Sequence, residues 1–216
     1  MGKPSRFEGG ASPSTLVHTV EAAGVTDRRV LDAVRSTPRE GFVPAEYASL
    51  AYVDAPIPIG SDQVTSQPSL IAQMVAAARP GEDERVLEVG TGFGFQTALL
   101  ARLARHVWSI ERHADLADEA RDNLAAAGVD NVTVLVGDGT QGLPEHAPYQ
   151  GIVVSAAAPS VPDPLADQLA EGGRLVQPVG AGGDERVTLF GKRRGRLVEL
   201  GMVSPASFVP LIGGRR

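Results

Sequence analysis

The sequence predicts an α/β protein: a doubly wound, mostly parallel sheet of seven strands that follows an N-terminal helical or irregular extension. From about residue 85 onward, short runs rich in valine and isoleucine alternate with segments whose apolar residues recur at helical spacing. Strands that alternate with helices form parallel sheets covered on both faces. The last runs are separated only by short glycine-rich turns, so they should pair antiparallel at one edge.

The first 80 residues are predicted to be helical or irregular. The expected elements are a polar leader at 1–13, two helices within 14–36, an extended or irregular stretch at 47–60 and a helix at 68–78. Gly24 separates the first two helices, and Asp27 can cap the second. Pro68 suits the first turn of the last helix, where its missing N–H costs nothing.

The remaining residues predict the sheet and its helices. The expected strands are 85–89, 107–111, 132–136, 151–155, 174–179, 187–191 and 207–212, and the expected helices are 95–105, 114–127 and 162–171. Gly128 and Gly172 should end the second and third of these helices. Such alternation is typical of a Rossmann-like fold. No long linker separates residues 1–80 from 81–216, so we expect one compact unit.

The composition excludes several function classes. The 20 basic residues against 26 acidic ones give a net charge of −6, which argues against a protein that grips nucleic-acid backbone. The absence of cysteine excludes disulfides, thiolate catalysis and cysteine-based metal sites, and the histidines lack ligand spacing, so no metal is expected. Without a signal peptide or a membrane-spanning run, the expected location is cytoplasmic, with no membrane partner.

A glycine loop after the first predicted strand is the most informative segment. Gly90, Gly92 and Gly94 suit a sharp turn with close ligand approach, although tight turns also use glycine without a ligand. Phe95 stands where a dinucleotide fingerprint needs a small residue, and the lysine of a nucleotide-triphosphate loop is absent. With Glu88 two residues before the first glycine, the spacing E-x-G-x-G-x-G is typical of class I S-adenosylmethionine-dependent methyltransferases.

Two further carboxylates end the next two predicted strands. Glu111 lies about 20 residues beyond the first glycine, where a carboxylate is suited to accept hydrogen bonds from both ribose hydroxyls. Asp138, between two glycines, can accept from the adenine amino group. Each acid alone could be a solvated strand-end residue. Three acids at successive strand ends, on the edge where such sheets bind ligands, predict an S-adenosylmethionine site.

Over residues 16–213 the chain resembles the protein-L-isoaspartate O-methyltransferase family. The segments that carry the resemblance are 28–31, 38–44, 50–54, 58–60, 66–68, 137–139, 156–159, 172–176, 178–180 and 208–211. Many methyltransferases share the glycine loop. The Ser-Gln-Pro segment at 66–68 and the Phe-Val-Pro-Leu segment at 208–211 are specific to this family.

The resemblance implies an S-adenosyl-L-methionine-dependent carboxyl O-methyltransferase that releases S-adenosyl-L-homocysteine. Its acceptor would be the α-carboxylate of L-isoaspartyl residues in damaged proteins or peptides, and the ester would close to a succinimide that hydrolyses partly to normal aspartate. This carboxylate is ionised at neutral pH and needs no general base. The lack of cysteine and of a Gly-x-Ser-x-Gly motif agrees with that chemistry. We expect a monomer that binds no nucleic acid.

The same resemblance assigns the site residues. Ser66 is implied as the active-site serine that hydrogen-bonds the acceptor carboxylate, whereas its pattern alone favours an N-cap for the helix at Pro68. The cofactor-binding residues expected from the loop, the strand ends and the resemblance are Gln63, Val64, Thr65, Glu88, Gly90, Thr91, Gly92, Gly94, Glu111, Asp138 and Gly139. The substrate-binding residues implied are Ser66, Val209, Pro210 and Leu211.

Departures from the family pattern cluster around the acceptor pocket. Val64 stands where the family usually has threonine, Ser69 where an aromatic residue or histidine is common, and Phe93 where serine is common. These changes motivate a rival reading, a tailoring carboxyl methyltransferase that acts on an aspartate of one dedicated peptide or on a small acid. A third reading is a relic that binds the cofactor without transferring methyl; Ser66 and the complete set of glycines argue against it.

Overall fold

The computed structural model describes residues 12–180 and 183–214. The α-helices are α1 (Pro13–Ala22), α2 (Arg28–Ser36), α3 (Pro68–Ala78), α4 (Phe95–Ala101), α5 (Ala114–Ala126) and α6 (Asp163–Gln168). The strands are β1 (Ile57–Gly60), β2 (Gln63–Thr65), β3 (Arg85–Val89), β4 (His106–Glu111), β5 (Val132–Val136), β6 (Tyr149–Val154), β7 (Leu169–Val179), β8 (Arg186–Arg193) and β9 (Arg196–Pro205). Short 3-10 helices occupy Arg39–Phe42, Ala45–Leu50, Gly139–Gln141 and Pro144–His146.

The predicted sheet is confirmed. Its seven strands have the order β5-β4-β3-β6-β7-β8-β9, and β1 and β2 form a separate antiparallel hairpin. Strands β3 to β7 pair in parallel, whereas β8 and β9 add an antiparallel edge. The order reverses between β3 and β6, which makes the carboxyl ends of these strands the place where open α/β sheets bind ligands.

Two apolar cores flank the sheet. The larger core packs helices α1 to α5 against one face, and its buried members include Leu16, Met74 and Val153. The smaller core on the other face includes Leu87, Ile152 and Leu165 of α6. The N-terminal helices therefore share a core with the sheet. No helix of the described residues is long and apolar enough to cross a bilayer.

The N-terminal helices follow the predicted pattern closely. The Asp27 carboxylate accepts a hydrogen bond from the Arg29 N–H at 3.0 Å and caps α2, as expected. The predicted polar leader at 1–13 extends too far, because Ser12 caps α1 and Pro13 is the first residue of that helix. Residues 1–11 lie outside the described part of the chain. Residues 47–60 contain a helical turn and β1, which forms because β2 supplies its pairing partner.

The last predicted strand, 207–212, was wrong. The final strand is β9, which the sequence analysis missed although Val198, Leu200 and Met202 recur at strand spacing; these residues are exposed at the sheet edge. Among the described residues, the segment after it makes one bridge, between Pro210 and Ala157. That segment crosses the carboxyl end of β6 and thereby reaches the ligand-binding edge.

Gly172 was also predicted wrongly as a helix stop. Helix α6 ends at Gln168, and β7 begins at the next residue. Gly172 lies inside β7 beside a register shift in the pairing with β6. A Cβ on the following Gly173 would lie 3.0 Å from the Gln150 carbonyl oxygen, so Gly173 allows the backbones of β6 and β7 to approach closely. Gly172 has a φ of +77° and meets no such neighbour.

Candidate active site

A cavity opens at the carboxyl ends of β3, β4 and β6, where the strand order reverses. The space between its walls is about 960 Å³ when the open solvent at its mouth is included. The predicted residues that line it are Gln63, Val64, Thr65, Ser66, Gly90, Thr91, Gly92, Gly94, Glu111, Gly139, Val209, Pro210 and Leu211. The structure does not bring the two other predicted residues, Glu88 and Asp138, to the cavity wall.

The glycine loop has the backbone that its sequence predicts. Gly92 and Gly94 have φ angles of +55° and +93°, a backbone conformation that residues other than glycine rarely adopt. A Cβ on Gly92 would lie 3.1 Å from Ile59 Cδ1, and one on Gly94 would lie 3.3 Å from Leu124 Cγ. The loop therefore presents bare backbone to the cavity, and α4 begins directly after it at Phe95.

Glu111 is fixed by the loop that it faces. Its Oε2 accepts from the Gly92 N–H at 2.9 Å, and its Oε1 accepts from the N–H groups of Arg112 and His113 at 2.8 and 3.1 Å. The side chain is buried and lines the cavity. A carboxylate has about four acceptor positions, so this one can still accept from a ligand hydroxyl.

Glu88 supports the loop from behind. Its carboxylate accepts from Gln96 Nε2 at 2.9 Å, from Thr97 Oγ1 at 2.5 Å and from Ser109 Oγ at 2.6 Å. The residue is completely buried. Burial raises the pKa of Glu88 to about 7, against the lowering effect of its three hydrogen bonds. A carboxylate in this position orients α4 and β4 and does not itself touch a ligand in the cavity.

The raised pKa of Glu88 predicts a pH-dependent stability. The folded state holds the Glu88 proton more tightly than the unfolded state, so stability falls as pH rises from the ordinary value of 4.5 to about 7. Glu88→Gln removes this effect. We expect the free energy of unfolding of Glu88→Gln relative to the wild type to increase between pH 5 and pH 8, by on the order of 3 kcal/mol. Urea unfolding at several pH values measures it.

The control for this pH series is Glu119→Gln, which changes an exposed carboxylate on α5. Its free energy of unfolding should follow that of the wild type at every pH. A Glu88→Gln curve that also runs parallel to the wild-type curve would show that Glu88 ionises at its ordinary pKa, contrary to this prediction.

Asp138 holds the end of the chain. Its Oδ1 accepts from the N–H and Oγ1 of Thr140 at 2.9 and 2.7 Å, and its Oδ2 accepts from the Gly214 N–H at 2.7 Å. Burial opposes ionisation, but these hydrogen bonds outweigh it and lower the pKa of Asp138. The adjacent Gly139 lines the cavity, so Asp138 shapes the wall through its cap on the 139–141 turn.

The helix-cap interpretation of Ser66 was wrong. The N-cap residue of α3 is Gln67, whose own side chain makes no capping hydrogen bond. The first turn of α3 is supported by Asp54 instead, whose carboxylate accepts from the N–H and Oγ of Ser69 at 2.9 and 2.7 Å. Ser66 lines the cavity, and no hydrogen bond to its hydroxyl occurs within the described residues.

Two segments contribute to the cavity wall: the β1–β2 hairpin and the residues after β9, which we call the tail (206–214). At the turn of the hairpin, Ser61 Oγ donates to Asp115 Oδ2 of α5 at 2.8 Å. The tail is held by Ala157, whose N–H donates to the Val209 carbonyl at 2.8 Å and whose carbonyl accepts from the Leu211 N–H at 2.7 Å. Sequence reasoning missed Asp115 and Ala157, since no local pattern shows which distant segments meet. No described cluster of His, Cys, Asp or Glu could hold a metal.

These features decide the class of protein. The loop lacks the dinucleotide fingerprint and the lysine that are typical of phosphate-binding loops. Its glycine backbone facing Glu111 suits a ligand with a ribose and a cationic sulfonium but no phosphate. The chain is a class I S-adenosylmethionine-dependent methyltransferase. The family model described as protein-L-isoaspartate(D-aspartate) O-methyltransferase matches residues 11–216. The chain belongs to this family.

Relatives of known name match this chain along most of its length. The protein-L-isoaspartate O-methyltransferase of Methanoculleus marisnigri is 52% identical over 194 residues, which cover 90% of this chain and 88% of that protein. A solved structure named protein-L-isoaspartate O-methyltransferase superposes with a TM-score of 0.81 at 29% identity, and covers 94% of this chain and 66% of that longer chain. A Plasmodium falciparum β-aspartate methyltransferase in complex with S-adenosyl-L-homocysteine has the same fold, with a TM-score of 0.78 at 22% identity over 92% of this chain and 97% of its own.

Proposed function

We propose that this chain transfers the methyl group of S-adenosyl-L-methionine to the α-carboxylate of L-isoaspartyl residues in proteins and peptides, the first step of their repair. The observation that carries the proposal is one cavity that joins the glycine loop and Glu111 to Ser66 and the tail at 209–211. Membership of the isoaspartate methyltransferase family supports the acceptor. The product methyl ester then closes to a succinimide without further help from the enzyme.

The cofactor end of the cavity lies at β3 and β4. Glu111 is suited to accept a hydrogen bond from a ribose hydroxyl, because Oε1 already accepts from two backbone N–H groups whereas Oε2 accepts only from the Gly92 N–H and keeps one acceptor position. The bare backbone of the glycine loop suits the amino-acid end of the ligand. The other wall residues proposed for this end are Gln63, Val64, Thr65, Thr91 and Gly139. When bound, the cofactor supplies an electrophilic methyl group on a positively charged sulfur.

The acceptor end of the cavity lies between Ser66 and the tail. Val209 and Leu211 use their backbone groups on Ala157, so the carbonyl of Pro210 is directed to the opposite edge, where it can accept from a substrate N–H. The Ser66 hydroxyl is available to donate to the acceptor carboxylate. We propose Ser66, Val209, Pro210 and Leu211 as the substrate contacts.

Methyl transfer to a carboxylate requires that the acceptor oxygen is aligned with the methyl–sulfur bond, and it involves no proton transfer. A carboxylate oxygen of the ionised acceptor forms the new bond to the methyl carbon, and the electrons of the breaking carbon–sulfur bond remain on sulfur. Opposite charges disappear as the bond forms, so exclusion of water by the hairpin and the tail favours the reaction. Alignment of two bound reactants can contribute roughly 7–11 kcal/mol.

The decisive experiment uses one peptide sequence with either an isoaspartyl or a normal aspartyl residue, together with methyl-labelled S-adenosyl-L-methionine. We expect base-labile label on the isoaspartyl peptide alone. Label on neither peptide, with S-adenosyl-L-homocysteine still binding in calorimetry, would contradict the isoaspartyl acceptor and favour the tailoring enzyme suggested by Val64 and Ser69. Absence of binding would contradict the cofactor site itself.

We also propose that the enzyme is a monomer. Light scattering after size exclusion should give the mass of a single chain of 22.5 kDa. A stable dimer would contradict this part of the proposal. A cytoplasmic location is likewise proposed, and cell fractionation tests it.

A further inference from the structure

Arg39 is a completely buried arginine close to the proposed acceptor site. Its guanidinium donates from one nitrogen to the carbonyls of Ala51 and Val53 at 2.8 and 3.3 Å, and from another nitrogen to the carbonyl of Ser66 at 3.3 Å. No side-chain carboxylate forms a salt bridge with it among the described residues. Burial of a cation whose only hydrogen-bond acceptors are backbone carbonyls costs free energy of desolvation, so a structural or functional role is expected for Arg39.

The carbonyls that Arg39 binds belong to segments with no regular partner. Ser66 lies between β2 and α3, and Pro68 cannot supply an N–H. Residues 51 and 53 lie in the turn before β1. A planar guanidinium can bridge two such segments from separate nitrogens, whereas a lysine would have to reach both carbonyls from one nitrogen. Arg39 therefore ties the Ser66 backbone to the 51–53 turn.

The same guanidinium also touches the cofactor side. Its central carbon lies 5.7 Å from the ring centroid of Phe95, the first residue of α4, within the range of a cation–π contact. Phe95 follows the glycine loop directly. Burial lowers the pKa of Arg39 to about 10, with Asp54 opposing the shift, so the side chain stays charged at neutral pH. Arg39 thus contacts the acceptor segment and the start of the cofactor helix together.

We propose that Arg39 is a positioning residue for methyl transfer, which sets the Ser66 segment relative to the glycine-loop helix. The reaction needs the acceptor oxygen in line with the methyl–sulfur bond, and a misplacement of about 1 Å can cost roughly 100-fold in rate. This proposal depends on the proposed role of Ser66. It predicts that Arg39 acts on turnover of the peptide and hardly on cofactor affinity.

The test is a double-mutant cycle with Arg39→Lys and Ser66→Ala, assayed on an isoaspartyl peptide at saturating S-adenosyl-L-methionine. If Arg39 acts through Ser66, Arg39→Lys should lower kcat/KM by about 10-fold or more in the wild-type background and by less than about threefold beside Ser66→Ala. S-adenosyl-L-homocysteine should bind the Arg39→Lys protein within about threefold of the wild type. Arg35→Met, at an exposed arginine of α2, is the control and should change nothing.

An equal factor in both backgrounds, or a parallel loss of cofactor affinity, would overturn the proposal, because either result indicates a general structural role. Arg39→Gln repeats the cycle if the lysine variant unfolds below the assay temperature, and failure of both variants to fold would overturn it as well. The Ser66→Ala single variant separates the two hypotheses. Full activity of that variant would contradict the role of Ser66, whereas an impaired Ser66→Ala with a multiplicative Arg39 effect would contradict only the role of Arg39.

Discussion

Replacement of Glu111 by leucine is expected to weaken the binding of S-adenosyl-L-homocysteine by about 10- to 100-fold. The carboxylate lines the cavity and is held by the N–H groups of Gly92, Arg112 and His113. A hydrogen bond to a charged group contributes about 1.5–3 kcal/mol, and the ribose would lose one such bond. The Gly92 N–H would also lose its acceptor, which loosens the loop.

Isothermal calorimetry measures this loss directly and does not depend on turnover. Glu119→Leu removes an exposed carboxylate from α5 and should leave the dissociation constant unchanged. Glu111→Gln should lie between the wild type and Glu111→Leu, because an amide keeps the shape but accepts at only one atom. If Glu111→Leu binds within about threefold of the wild type, the ribose contact proposed for Glu111 is wrong.

Replacement of Ser66 by alanine is expected to lower kcat/KM for an isoaspartyl peptide by about 10- to 100-fold, the size of one lost hydrogen bond to a carboxylate. Ser66 lines the cavity, and its carbonyl is held by Arg39, so the alanine variant should keep the backbone in place. The affinity for S-adenosyl-L-homocysteine should stay within about threefold of the wild type, since the cofactor contacts lie on other residues.

Initial rates at varied peptide concentration and saturating cofactor test the Ser66 prediction. The matched control is Ser49→Ala, at an exposed serine of the 45–50 helical turn that does not line the cavity. Equal rates for Ser66→Ala and the wild type would remove Ser66 from the acceptor site. A loss of cofactor binding of the same size as the loss of rate would place Ser66 with the cofactor rather than the acceptor.

Much of the fold was predictable because its signals are local. Valine-rich runs and helical spacing located β3 and β5 to the residue, and α3 begins and ends where the apolar pattern does. Strand β9 was missed although its residues Val198, Leu200 and Met202 recur at strand spacing. The tail was not predictable in this way, because its place in the fold depends on a contact with the distant Ala157.

The different roles of the three strand-end carboxylates could not be predicted from the sequence. Glu88, Glu111 and Asp138 have the same chemistry and stand near successive strand ends, so their pattern predicts one shared role. In the structure only Glu111 lines the cavity, while Glu88 is buried beneath the loop and Asp138 holds Gly214. The difference depends on which groups surround each carboxylate.

The sequence by itself determined the class of fold, the glycine loop and the kind of ligand that the loop suits, because these depend on residues within one turn or strand. Only the tertiary structure decided that Ser66 faces the cavity, that Arg39 binds its carbonyl and that the tail crosses the end of β6. Such contacts join residues far apart in the chain. Their formation depends on how the two cores pack, and no local spacing encodes that packing.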